Sequence, residues 1–309
     1  MTTSELTATK PEERQSVALT PEAMRLALAS RSQWQLELQR LFHHRLAMVG
    51  LWGILLLVAA ALLAPWLAPY PFDAQHLDSI RAAPSRQFLF GTDSLGRDLF
   101  SRVLYGARMA LLVGVVVVAI ETVVGVLLGM MAGYFRGYID LAISMVSDMV
   151  WAFPPLVLVL GVVAAVGPGL LHAAVALALT SWAPFTRVTR AKVLALRERD
   201  FVQASLATGS GHGRILWRHI LPNLVPTNLV LVMLTLPSAL LTASALSFLG
   251  FGIQPPGADW GAMLNEGRPY LQDAPWIATF PGLAILLTVV CFNLFGDGVR
   301  DAFDPRQKG

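Results

Sequence analysis

The chain has 309 residues, of which 55% are hydrophobic and only 14% are charged, whereas an average globular domain has about 25% charged residues. This composition excludes a soluble globular fold, intrinsic disorder and a collagen-like chain. The net charge is +3, and the one cysteine, Cys291, lies in an apolar run, so neither a disulfide framework nor a cysteine-based zinc site is available.

The polar N-terminus is followed by an apolar segment. Residues 1–45 lack the basic start and the immediate apolar core of a secretory signal, and we interpret them as a tail with a short amphipathic helix near Met24–Phe42. Leu46 to Phe72 carry no charge, and about 20 apolar residues are enough to cross the bilayer. We therefore assign residues 46–105 to a first transmembrane helix and the polar segment that follows it.

Five further spans are predicted in residues 106–300, and residues 301–309 form a second tail. The Gly-Pro-Gly step at 167–169 divides the uncharged run 149–186, because such steps tend to end helices. The sequence thus predicts an all-α membrane protein with six transmembrane helices. The six spans are Leu46–Phe72, Met109–Phe135, a third from about Ile139, a fourth after the Gly-Pro-Gly step, Ile220–Ala258 and Ala274–Gly296.

Lysine and arginine are distributed unequally between the two sets of loops. With the N-terminus inside, 17 of these residues fall in inner segments and 6 in outer segments. Cytoplasmic loops carry the excess of basic residues, so we predict a multi-pass membrane protein with both termini cytoplasmic. The basic charge then reflects topology and not nucleic-acid binding. Five arginines between Asp73 and Arg108 fit this assignment least well, although four aspartates accompany them.

The charged segment 187–219 is the most informative loop. Asp200 can cap the start of a helix, and Gly209 can end it in a left-handed conformation. At helical spacing, one face of this helix carries Phe201, Ala204, Ser205 and Thr208. Small side chains allow another protein to approach closely, which suits a docking helix. A surface helix that only links two spans is the alternative.

Several motifs resemble those of ABC-importer permeases. The residues Gln203-Ala204-Ser205, Gly209 and His219-Ile220-Leu221-Pro222 resemble the EAA-loop signature, with Gln203 replacing the usual acid and Ser205 replacing the second alanine. Three other segments resemble dipeptide and oligopeptide permeases, and with the loop they extend the resemblance from about Leu46 to the C-terminus. These segments are Phe90–Asp98, Leu246–Gly252 continuing to Asp259-Trp260-Gly261, and Phe292–Asp301.

The resemblance implies a type I ABC importer permease of the peptide, glutathione and nickel branch, of its second-permease type, located in the bacterial inner membrane. Such a subunit pairs with a homologous second permease, docks two cytoplasmic ATPase subunits and receives substrate from an extracytoplasmic binding protein. ATP and magnesium would be bound by the ATPases, with no cofactor in this chain. The resemblance places the ATPase-coupling contacts at Phe201, Gln203, Ala204, Ser205, Gly209, Leu221 and Pro222. Di- or oligopeptides are the expected substrates, and glutathione or nickel the alternatives.

Two acids, Glu121 and Asp148, lie within predicted spans. An intramembrane carboxylate costs about 2.5–3.5 kcal/mol on insertion scales, so each is a candidate proton relay or substrate contact. We favour the alternative of a buried carboxylate, hydrogen-bonded between helices or protonated. A secondary transporter driven through these acids is the main rival function, but the internal repeats common in such folds are not evident.

Other chemistry finds little support in the sequence. No phosphate-binding loop, nucleophile elbow or catalytic zinc motif occurs, which argues against ATP binding by this chain and against a membrane enzyme. His43-His44 is a lone pair without further metal ligands. Gly125, Gly129 and Gly133 form a small-residue stripe for close helix packing, and its partner could lie in this chain or in another subunit.

Overall fold

The computed structural model describes residues 33–303 of the chain. These residues form helices and no strand, apart from two isolated bridges, Gln75 to Arg97 and Thr92 to Asp98. The predicted all-α class is therefore confirmed for this part. The predicted tail lies outside it over residues 1–32 and 304–309, as does the first part of the predicted amphipathic helix.

The helices are numbered in chain order. One turn of π-helix, Leu216–Ile220, joins α9 to α10, and short 3₁₀ helices lie at Leu77–Ser79 and Arg268–Tyr270. The α-helices are α1 Gln33–His43, α2 Arg45–Leu67, α3 Leu99–Phe135, α4 Gly137–Ala152, α5 Pro155–Val166, α6 Leu170–Ser181, α7 Ala183–Arg197, α8 Asp200–Ala207, α9 His212–Ile215, α10 Leu221–Phe248, α11 Trp260–Gly267 and α12 Trp276–Phe303.

Four helical stretches in residues 33–303 are long and apolar enough to cross a membrane: α2, α3, His212–Phe248 and α12. The pair α4 and α5 is a fifth candidate, bent by 92° at its break. The predicted fourth span falls on α6 and α7, which have 12 and 15 residues, fewer than the about 20 that a bilayer requires. The multi-span architecture is thus confirmed, whereas the count of six is not reproduced exactly.

The helix α3 begins at Leu99, well before the predicted start of the second span at Met109. Its N-cap is Asp98, whose carboxylate accepts a hydrogen bond of 2.8 Å from the amide of Ser101. Such a cap satisfies an amide that would otherwise lack a partner. The border predicted between residues 105 and 106 consequently falls inside α3.

The glycine stripe on α3 packs against α7 of the same chain. A Cβ at Gly125 would lie 2.3 Å from the Cβ of Phe185, and one at Gly129 would lie 2.7 Å from the Cβ of Thr189. Real Cβ atoms do not approach so closely, so only glycine permits this contact. The sequence left open whether this stripe packs within the chain or against another subunit, and in the structure it packs within the chain.

The helix α2 packs against α12 by the same principle. A Cβ at Gly53 would lie 2.3 Å from the Sγ of Cys291, and one at Gly298 would lie 2.2 Å from the Cβ of Ala47. At one end of this pair, His44 Nε2 lies 3.6 Å from Asp301 Oδ2. The start of α2 and the end of α12 therefore meet at one end of the bundle.

Candidate functional site

The loop helix α8 begins one residue differently from the prediction. Arg199, in extended conformation, is its N-cap, no side chain caps the helix, and Asp200 is the first helical residue. Asp200 is thus not the cap, although its carboxylate still lies where the helix dipole favours negative charge. The predicted end is confirmed, since Gly209 has φ +76° and its amide donates to the carbonyl of Leu206 over 3.0 Å.

One side of α8 is anchored and the other is open. Val202 is fully buried among apolar residues of α3, α7 and α10. Phe201, Ala204 and Thr208 are exposed and Ser205 is partly exposed, so the face grouped by sequence is the open one. Partly buried Leu206 packs against the same apolar cluster, and the helix presents mainly small side chains outward.

Gln203 makes a hydrogen bond that the acid usual at this position of the EAA-loop signature could not make. Its Nε2 donates to the carbonyl oxygen of Arg197, the last residue of α7, over 2.8 Å. A carboxylate cannot donate a hydrogen bond. The amide therefore ties α8 to the end of α7.

Leu221 and Pro222 lie apart from α8, in the first turn of α10. Pro222 is exposed there, directly after the π-helical turn that continues into α10. Leu221 is partly buried and lines an apolar groove of about 440 Å³ between α3 and α10. The ring of Phe201 lies 6.4 Å from the ring of His219 in the π-helical turn. The predicted coupling residues thus occupy one end of the bundle, on two neighbouring elements.

The same end contains a polar contact that sequence reasoning missed. Tyr134, buried in the last turn of α3, has its hydroxyl 2.9 Å from Nδ1 of His212 in α9. Next to it, Arg136 pairs with Glu198 over 2.5 Å. These contacts join the end of α3 to both sides of the loop. A tyrosine and an arginine bordering an apolar span were the only signals available in the sequence.

Glu121 is buried in α3, with 3% of its surface exposed. Within residues 33–303, no hydrogen bond or ion pair reaches its carboxyl group. Glu121 is therefore buried, as expected, but it makes no hydrogen bond to another helix within the described residues.

Asp148 lies between helices α4 and α7. Its Oδ1 is 2.5 Å from Nη2 of Arg187, and the Arg187 guanidinium lies 3.9 Å from the ring centre of Trp151. Asp148 thus makes the expected bond between two helices. It is not buried as expected, because 65% of its side chain is exposed. Arg187, which sequence reasoning placed in the loop, is the partner that it missed.

At the opposite end of α3, four charged side chains form a cluster that the sequence did not reveal. Arg97 Nε lies 2.6 Å from Asp93 Oδ2, and Arg97 Nη2 lies 2.8 Å from Oε2 of Glu266 in α11. Arg102, fully buried, lies 3.5 Å from Asp93 and from Glu266. Arg97 and Arg102 are two of the five arginines that fitted the predicted topology least well, and both are paired with carboxylates of this chain.

The Asp259-Trp260-Gly261 motif fixes α11 in this region. Asp259 caps α11 by accepting from the amide of Ala262, and burial raises the pKa of its carboxyl group. The indole of Trp260 donates to the carbonyl of Val103 in α3 over 2.9 Å. The motif therefore positions α11, which carries Glu266, against the start of α3.

Comparison with protein families gives two matches. Residues 125–309 match the family described as "Binding-protein-dependent transport system inner membrane component". Residues 32–84 match "N-terminal TM domain of oligopeptide transport permease C".

Individual relatives match along most of their length. The dipeptide transport system permease protein DppC of Alkalihalophilus pseudofirmus is 41% identical over 277 residues, covering 90% of this chain and 91% of that protein. The glutathione transport system permease protein GsiD of Escherichia coli is 43% identical over 282 residues, covering 90% and 92%. A chain from a solved structure of the inward-facing MetNI methionine ABC transporter is 20% identical, with a TM-score of 0.49, and covers 65% of this chain and 96% of that chain.

Proposed function

Because the chain belongs to the family of inner membrane components of binding-protein-dependent transport systems, we propose that this permease subunit of an ABC importer translocates di- or oligopeptides. The observation that carries the proposal is the 41% identity, over 90% of the chain, to a dipeptide permease. The glutathione permease at 43% identity makes glutathione, itself a small peptide, the second candidate. Both substrates carry free amino and carboxylate groups.

The proposed partners are a homologous second permease, two cytoplasmic ATPases and an extracytoplasmic binding protein. The family description itself refers to a binding protein. In this assembly ATP and magnesium bind to the ATPases, which carry out the hydrolysis. Its task is to convert ATPase closure into a change of the pore.

The exposed face of α8 is the proposed docking surface for an ATPase. Movement of α8 would reach the bundle through buried Val202 and through the link from His212 to Tyr134 at the end of α3. The 37 residues of α3 span about 55 Å at 1.5 Å per residue. One helix can therefore connect the docking end to the buried charge cluster at the other end.

The proposed topology places both termini in the cytoplasm. The contact between His44 and Asp301 supports it, because it brings the start of α2 and the end of α12 to the same end of the bundle. Helix α2 leaves that end and α3 returns to it, so the loop that contains α8 lies on the same side. The ATPases are then accessible to α8 from the cytoplasm.

Co-purification of the full chain from native membranes in mild detergent tests the docking surface. Ala204→Arg places a large cation on the exposed face of α8, and Ala83→Arg makes the same change on an exposed site in the segment between α2 and α3. We expect a second permease and ATPases to accompany the wild type and the Ala83 variant, and the ATPases to be lost from the Ala204 variant. Equal recovery of ATPases with both variants would contradict docking through α8.

The energy source separates the proposal from the rival function. Uptake by an ABC importer stops when ATP is depleted and survives collapse of the ion gradient. Uptake that persists without ATP and fails without the gradient would instead support a secondary transporter that uses Glu121 or Asp148.

A further inference from the structure

The helix α4 carries a polar stripe towards α7. At positions i, i+4, i+8 and i+11, the stripe consists of Asp140, Ser144, Asp148 and Trp151. Asp140 pairs with Arg190 of α7, with Oδ2 to Nη2 at 2.7 Å, and Asp148 pairs with Arg187 one turn earlier on α7. Two antiparallel helices are therefore joined along this stripe by ion pairs.

The two ion pairs differ in exposure. The Asp140 side chain is 18% exposed, whereas 65% of Asp148 and 40% of Arg187 are exposed. The pair uses only Asp148 Oδ1 and Arg187 Nη2, so the second carboxylate oxygen and the other guanidinium nitrogens have no hydrogen-bond partner among the described residues. One acceptor and several donors thus remain available side by side.

The surroundings of this exposed pair are apolar and membrane-like in composition. Residues 149–186 that follow Asp148 contain no charge. Trp151 and Phe153, at the 92° bend between α4 and α5, are more than half exposed. Ionisable groups in membrane segments face a bundle interior or a water-filled cavity and not lipid. The exposed side of the pair therefore faces either the second permease subunit or an aqueous path, and not lipid.

We propose that Asp148, Arg187 and Trp151 form part of the wall of the translocation pathway, where the exposed ion pair contacts the charged termini of a passing zwitterionic peptide. The free carboxylate oxygen accepts from the peptide's ammonium group, and the free guanidinium N–H groups donate to its carboxylate. The inference rests on the proposed function for the substrate, whereas the aqueous wall itself can be tested without knowing it.

Thiol labelling of the assembled transporter tests the wall. Cys291→Ala removes the one cysteine, and single cysteines are then introduced as Ala152→Cys or Val146→Cys. Both sites are exposed on α4, but they lie about 40° and about 160° around the helix from Asp148. A charged, membrane-impermeant thiol reagent should modify position 152 and leave position 146 unmodified. Modification of neither or of both would overturn the assignment, because the first means a covered face and the second a helix wholly in water.

Uptake measurements test the contact with the peptide. In the complete transporter, Asp148→Asn and Arg187→Gln should lose most dipeptide uptake, while Asp140→Asn, the same change in the less exposed pair, should retain it. The variant with the exchanged pair, Asp148→Arg with Arg187→Asp, should have the thermal stability of the wild type but should not recover uptake. Full recovery of uptake by the exchanged pair would overturn the proposal, because only a structural ion pair would then matter.

The two experiments also separate failure of the inference from failure of the proposed function. If the wild type takes up no peptide, the proposed substrate and the peptide contact are both wrong. The labelling pattern then still decides whether this face lines an aqueous path.

Discussion

The amide of Gln203 makes a bond that distinguishes it from a carboxylate at the same position. Gln203→Glu replaces a donor facing the Arg197 carbonyl by an acceptor. Loss of such a bond typically costs about 0.5–1.5 kcal/mol. We expect weaker ATPase retention and a lower melting temperature of the purified complex. Gln87→Glu, the same change at an exposed position in the segment between α2 and α3, should leave both unchanged, and equal effects of the two variants would contradict a specific role for the amide.

Glu266 is shared by two buried arginines. Glu266→Gln leaves Arg97 and Arg102 with one carboxylate, that of Asp93, between them. Breaking a buried pair costs about 3–5 kcal/mol, and because 26% of Glu266 is exposed we expect about 2–3 kcal/mol here. Thermal inactivation should therefore occur at a clearly lower temperature. Asp273→Asn, at an exposed position beyond α11, is the control, and no difference between the two would show that the cluster contributes little.

Single residues in the sequence predicted the end of α8, but they predicted neither its N-cap nor the partners of the charged side chains. Gly209 was placed correctly because a left-handed helix end has a strong preference for glycine. The helix start was assigned to Asp200 instead of Arg199, because an aspartate favours both the cap and the first turn. Partners such as Arg187 and Glu266 could not be predicted, since they depend on which helices meet.

At the scale of elements, the α3–α7 contact depends on the absence of side chains. Gly129→Val would put a Cβ 2.7 Å from the Cβ of Thr189 and force the helices apart. Overpacking of this kind costs about 1–3 kcal/mol, and we expect reduced assembly and a lower melting temperature. Gly161→Val in α5, where nothing lies within 4 Å of the added Cβ, should assemble normally. Normal assembly of both variants would argue against tight packing at the stripe.

Hydropathy located the spans better than it located their ends. The start of α3 was missed because Arg102 and Arg108 interrupt the apolar run, whereas Arg102 is buried by its ion pairs. The break after α4 was predictable from Pro154-Pro155, since proline restricts the preceding residue to extended conformations. Its 92° angle was not predictable, because it depends on which helices meet and not on the local sequence.

At the scale of the whole molecule, α3 connects the loop that contains α8 to the charge cluster. Tyr134→Phe removes the hydroxyl that contacts His212 while keeping the buried ring. Loss of one hydrogen bond typically costs about 0.5–1.5 kcal/mol, so we expect uptake per ATP hydrolysed to fall about two- to tenfold, with ATP hydrolysis retained. Tyr138→Phe, at a position that is 91% exposed, should leave the ratio unchanged. An unaltered ratio in the Tyr134 variant would remove this contact from the coupling route.

In the proposed mechanism, this chain carries ATPase movement into peptide import through α8. The most direct measurement is dipeptide uptake by proteoliposomes that contain the chain, its second permease, the ATPases and the binding protein, with and without enclosed ATP. This mechanism requires uptake that depends on ATP, needs no ion gradient and is lost in Ala204→Arg but not in Ala83→Arg. Uptake that is independent of ATP, or unaffected by Ala204→Arg, would contradict it.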